Sequence, residues 1–108
     1  MAKAEIIPGN CGFTTQVDAR MDGDVCKIAL VSDCKAIQKL AQELTEVDPY
    51  KEISFRRNNM PSILQTGIKY CTHAACPVPV GIIKAVEVEA GMTLPTDVVI
   101  HLSKGDPA

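Results

Sequence analysis

The stretch Phe13-Thr14-Thr15-Gln16-Val17-Asp18-Ala19-Arg20-Met21-Asp22-Gly23-Asp24-Val25-Cys26-Lys27-Ile28-Ala29-Leu30-Val31 decides the fold class. Its first half alternates, with Phe13, Thr15, Val17 and Ala19 on one face and Thr14, Gln16, Asp18 and Arg20 on the other. That period of two is the mark of a half-buried strand. Asp22-Gly23 is a hairpin turn signal, because glycine accepts a positive φ. The second half places Cys26, Ile28 and Leu30 opposite Val25, Lys27, Ala29 and Val31. Both of its faces are largely apolar, which predicts a central strand covered on both sides.

Working outward, residues 3–9 read as a short strand that stops at Pro8-Gly9-Asn10, a turn composition. After the hairpin, Ser32 or Asp33 is placed to cap a helix by accepting a bond from a free N–H. Ala36, Ile37, Leu40, Ala41 and Leu44 recur at helical spacing, which predicts a helix over 34–46 with Cys34 in its first turn. Asp48-Pro49 is a cap followed by proline at the first helical position, opening a short turn over 49–55. Arg56-Arg57-Asn58-Asn59 reads as a polar, solvated loop. Pro61 to Ile68 reads as a short helix with Ile63, Leu64 and Ile68 inward and Gly67 as its weak point. A further helix is predicted over 79–90, entered through Pro77 and Pro79 and stopped by Gly91. Asp97 to Ser103 alternates again, Val98, Ile100 and Leu102 against Val99, His101 and Ser103, which predicts a last strand before a frayed tail of five residues. His101 then falls on the exposed side of that strand. The expected fold is α+β, with a small antiparallel or mixed sheet of three to four strands and helices packed on it.

The chain has 108 residues, a length for one domain spanning 1–108, with 46% hydrophobic and 22% charged residues. A formal net charge of −2 implies no basic surface, so nucleic acid and anionic membranes are not expected as partners. No apolar run approaches the roughly 20 residues of a membrane helix, and the start lacks the pattern of a signal peptide. A cytoplasmic location follows, and disulfides are rare there. The five cysteines therefore point to metal, thiol chemistry or packing. An exposed edge on the final strand would suit pairing with a second copy or another protein partner.

Element ends carry the chemistry. Cys11 stands at the entrance of the first alternating strand, Cys34 opens one helix and Cys76 opens another. An antiparallel hairpin puts the start of one strand beside the end of the next. If the two helices pack in parallel beside the sheet, Cys11, Cys34 and Cys76 converge at one edge, with Cys71 or His73 as a fourth ligand. Zinc takes four Cys or His ligands, and iron–sulfur clusters take thiolates. The same atoms suit a thiol-based sulfur or redox carrier in which Cys76 or Cys34 is the nucleophile. No Cys-x-x-Cys is present, which argues against thioredoxin-type exchange. The plainest alternative is an interaction module without enzymatic activity, its cysteines serving as small core hydrophobes. Cys26, between apolar neighbours, fits that role in any case. A loop histidine such as His73 commonly has only a backbone partner.

The motifs Asn10-Cys11-Gly12-Phe13, Ser32-Asp33-Cys34 and His73-Ala74-Ala75-Cys76-Pro77-Val78-Pro79 resemble those of a small single-domain family of uncharacterised prokaryotic proteins, associated with anaerobes and methanogenic archaea. The resemblance covers nearly the whole chain and implies no established activity. The order Cys11, Cys34, Cys71, Cys76 is also similar to the cysteine-rich domain of some vitamin B12-dependent ribonucleotide reductases named for its Thr-Ser-Cys-Pro-Asp motif. That likeness implies a metal site or a redox role. Iron–sulfur scaffold proteins show a similar spread of three cysteines, although here Phe13 stands where they have an aspartate and His73 is not adjacent to Cys76.

Overall fold

The computed structural model describes residues 1–55 and 59–105. Arg56, Arg57 and Asn58 of the expected polar loop, and the last three residues of the expected tail, lie outside the described residues. The fold is α+β: a four-stranded antiparallel sheet in the order β1-β2-β3-β4, with helices packed on one face.

Strand β1 (Ala2–Ile6) pairs with β2 (Thr15–Asp22), and β2 with β3 (Val25–Ser32). The β2–β3 hairpin closes through Gly23 and Asp24, since Asp22 pairs with Val25 and Gly23 takes φ +64°. Val17 and Ala19 of β2 and Cys26 and Ile28 of β3 are buried, while the alternate positions Gln16, Arg20 and Ala29 are exposed. The sheet is thus covered on one face only. This corrects the expectation for β3: Val31 is 72% exposed, because the helices all lie on the other side. Phe13 lies before β2 and is exposed.

Helix α1 (Lys35–Glu43) ends earlier than its apolar spacing implied. Its last predicted residue, Glu46, belongs instead to a two-residue strand, β4 (Glu46–Val47), which pairs with Cys26 and Lys27. Helix α2 (Pro49–Glu52) starts at Asp48, whose carboxylate accepts the Tyr50 N–H at 3.1 Å. Helix α3 (Ser62–Tyr70) buries Ile63 and half-buries Leu64, but Ile68 is exposed, contrary to expectation. Gly67 is buried, and a Cβ there would lie 2.7 Å from Cγ of Pro79. The predicted weak point is a close approach between α3 and α4 (Val78–Glu89).

Pro61 has no side chain able to cap α3, so a residue from elsewhere satisfies its free N–H groups. Glu52, only 3% exposed, accepts the Ile63 N–H at 2.7 Å, the Ser62 N–H at 3.3 Å and the Ser62 hydroxyl at 2.8 Å. One buried carboxylate thereby fastens α2 to the start of α3.

Helix α4 lies over β1 and β2, α1 lies over β3, and α3 packs against both helices. One core cluster results, with Val17, Ala19, Ile28, Ile37, Leu40, Ile63, Ile82 and Val86 among its buried members. The predicted last strand is absent: residues 97–103 follow α4 without a ladder partner and are exposed, His101 included. Among the described residues no helix is long and apolar enough to cross a membrane.

Candidate thiol site

Backbone register brings the cysteines to one end of the sheet. Ile6 pairs with Thr15, and Thr15 pairs with Ser32. The β1–β2 connection carrying Cys11 and the β3–α1 connection carrying Cys34 therefore leave the same end. The first turns of α4 lie there too, because Gly81 packs against Ile6. Cys71 ends α3 and Cys76 precedes α4, so the short connection between those helices returns both to this end.

Hydrogen bonds hold the frame. Thr15 donates its hydroxyl to Ser32 Oγ at 3.0 Å, and Ser32 Oγ accepts the Cys34 N–H at 3.2 Å. Gln38 donates its side-chain amide to the Ser32 carbonyl at 2.8 Å. Cys34 occupies the cap position of α1 rather than its first turn, and neither Ser32 nor Asp33 caps the helix by its side chain. The Cys71 N–H closes α3 onto the Gly67 carbonyl at 2.8 Å, and the Cys76 N–H donates to the His73 carbonyl at 3.2 Å. This second bond closes a tight turn through Ala74 and Ala75.

The Cys76 side chain is the ionisable neighbour that acts most on Cys71, and Cys34 lies close enough to act on it electrostatically. Burial pushes the Cys71 thiol up to about 12, with the Cys76 sulfur and then the more distant Cys34 adding to the effect. All three are half-buried. Cys11 is exposed in the turn closed by Gly12 N–H to the Gly9 carbonyl at 3.0 Å, and it is not among the groups that perturb Cys71. Cys26 is separate: it is fully buried within β3, as expected for a core residue, and burial raises its thiol.

As the described side chains lie, no three His, Cys, Asp or Glu groups stand near enough to share one metal ion. Cys11, Cys34, Cys71 and Cys76 stand on the connections at one end of the sheet. Their separation depends on loop conformations that no spacing reports.

Beside the sulfurs runs a groove of about 230 Å³, lined by Cys71, Cys76, the exposed His73, Ile68 and Pro79. Through Leu64 and Val80 it continues into a second, largely apolar depression of about 260 Å³ against Phe55 and Ile83. The thiols are thus open to solvent from one side, where apolar walls flank them. The exposure of Ile68, which helical spacing reads as inward, is the part of this surface that the sequence did not signal.

Residues 2–102 match the profile of a protein family described only as a family of unknown function. No curated protein and no solved structure matches the chain.

Proposed function

The chain belongs to that family, DUF6951, and we propose that it is a binding module for a soft metal, zinc or an iron–sulfur centre. Cys34, Cys71 and Cys76 are the core ligands in this reading, and Cys11 or His73 supplies the fourth. The observation that carries it is the gathering of three free, half-buried cysteines, Cys34, Cys71 and Cys76, at one end of the sheet, where Cys71, Cys76 and His73 line an open groove. Burial disfavours the thiolate of Cys71, and a bound cation supplies the positive charge that lets it ionise. Thiolate and imidazole are the donors that zinc and iron–sulfur centres take.

Binding requires the ligands to close further, to about 2.3 Å from a zinc ion. Cys34, Cys71 and Cys76, which pack against the edge of the core, would have to shift with their connections, while the exposed residues 9–14 and 72–75 would bring in Cys11 or His73. The test is elemental analysis and an absorption spectrum of the full chain prepared without oxygen, then again after supply of zinc or of iron and sulfide. A stoichiometric metal, lost in Cys34→Ser and Cys76→Ser but retained in Cys26→Ala, supports the reading. Failure to retain metal under either condition overturns it.

The presence of Cys71 and Cys76, both free and half-buried, on the lining of one groove favours a second reading, a dithiol carrier. Cys76 thiolate attacks one sulfur of a substrate disulfide, and the other substrate sulfur leaves as a thiol. Cys71 then loses its proton and displaces the bound substrate sulfur, leaving a Cys71–Cys76 disulfide and a second thiol. A metal-free protein that forms this disulfide reversibly with an oxidised dithiol would select this reading over the first.

A further inference from the structure

We propose that residues 97–103 of one chain add as a fifth strand to the open edge of β1 in a second copy, and that the second copy returns the exchange. This inference is independent of the thiol site, which lies at the other end of β1 from where the segment emerges.

The segment has strand patterning and no ladder partner among the described residues. Val98, Val99, Ile100 and Leu102 are 56%, 66%, 75% and 89% exposed, a run of large apolar side chains left in water. Isolated exposed apolar residues are ordinary, but a contiguous run marks an interaction surface. The family profile extends through residue 102, so the segment belongs to the unit that the family shares.

β1 is the matching acceptor. Among the described residues, the order β1-β2-β3-β4 leaves one side of the five residues of β1 without a strand partner, whereas the other edge strand, β4, has two residues. Ala2 and Ile6 are buried and Ala4 half-buried on the inner face, while Lys3 and Glu5 are exposed on the outer face. An added strand of period two would set Val98, Ile100 and Leu102 beside Ala2, Ala4 and Ile6, and would leave Val99 and His101 beside Lys3 and Glu5. Main-chain hydrogen bonds then supply affinity, and alternate side chains supply register.

Placement favours reciprocity. α4 begins over Ile6 and ends where Glu89 accepts the Met21 N–H at 2.9 Å and meets the Met1 amine at 3.4 Å. The segment that follows α4 therefore leaves the body beside the start of β1. Donor and acceptor share one side of the molecule, so two copies related by a two-fold axis satisfy both at once and the assembly closes.

The experiment is sedimentation of the full chain under reducing conditions, at tens of micromolar, beside Ile100→Pro. Proline removes a ladder N–H from a residue that is exposed in the single chain, so the fold is retained, which far-UV circular dichroism checks. The result expected is a particle of twice the 11.6 kDa chain mass, with a dimer Kd raised at least about tenfold by Ile100→Pro. Isotope-filtered NMR on a mixed labelled and unlabelled sample should show contacts from Ile100 to Ala4 between chains. A monomer overturns the proposal, whether its 97–103 amides exchange freely or are protected by folding back on the same chain. So does a dimer that Ile100→Pro leaves unchanged, or one lacking the contacts between Ile100 and Ala4.

Discussion

Gly81 rests against Ile6 so closely that a Cβ on the glycine would collide with Cδ1 and lie 2.6 Å from Cγ1 of that side chain. This contact sets α4 on β1 and thereby places Cys76 at the thiol end of the sheet. Gly81→Ala gains up to about 1 kcal/mol of helix propensity. The clash with a buried, well-packed residue costs about 1–3 kcal/mol, so the variant should be less stable in urea. A midpoint equal to or above that of the parent would show that α4 does not sit so tightly.

Glu52 is the tertiary cap of α3. Glu52→Ala leaves the Ile63 N–H without its acceptor in a buried place, at a cost of about 1–3 kcal/mol. Glu52→Gln should lose less, since its amide oxygen still accepts one of the three bonds. Denaturant unfolding ranks the two variants, and hydrogen exchange at Ile63 should rise most in Glu52→Ala. Equal stability of parent and Glu52→Ala would refute the capping role.

Thiol labelling should follow the local electrostatics. At pH 7.5 a thiol at about 12 holds almost no thiolate, so Cys71 should alkylate far more slowly than the exposed Cys11. Cys76→Ala removes one of the sulfurs that raise Cys71 and should speed its labelling. Mass spectrometry of quenched samples reads both rates. If a metal is bound, its apparent affinity should climb as pH rises through the neutral range, because each thiol must release its proton to become a ligand. A pH-independent affinity would exclude Cys71 from the ligand set.

Glu89 gives the fold an acid dependence. The Met21 N–H, followed by the Met1 amine, holds its carboxyl below the usual carboxylate range. A group whose pKa is lowered on folding stabilises the protein above its unfolded pKa, and that stabilisation is lost as pH falls through the folded value. Glu89→Gln should therefore be less stable than the parent at pH 6, with the difference shrinking toward pH 3. Urea midpoints at several pH values measure this, and a constant difference would contradict it.

The legible parts of the fold were those where a period or turn residue speaks for itself. The alternation around Val17 and Ile28, the turn at Gly23, and proline at the start of α2 and α4 all specify local backbone that the structure contains. The misread parts were those where distant residues compete. Glu46 continues a helical spacing yet pairs with Lys27, because a ladder position was open beside β3. Gly67 looks like a defect within a helix, but Pro79 needs the space. Leu102 alternates as a strand residue but has no strand to pair with among the described residues.

By itself, the sequence determined a small sheet built on an antiparallel hairpin, covered by helices, with Cys11, Cys34 and Cys76 at element boundaries and Cys26 in the core. Side-chain period and turn chemistry are local properties, and they suffice for that much. Only the tertiary structure decided that one sheet face stays open, that Glu52 caps α3, and that Cys71 and Cys76 line one groove while Cys11 remains in solvent. Those outcomes depend on contacts between residues far apart along the chain and on loop conformation, and no local pattern encodes the distance across which two such groups face each other.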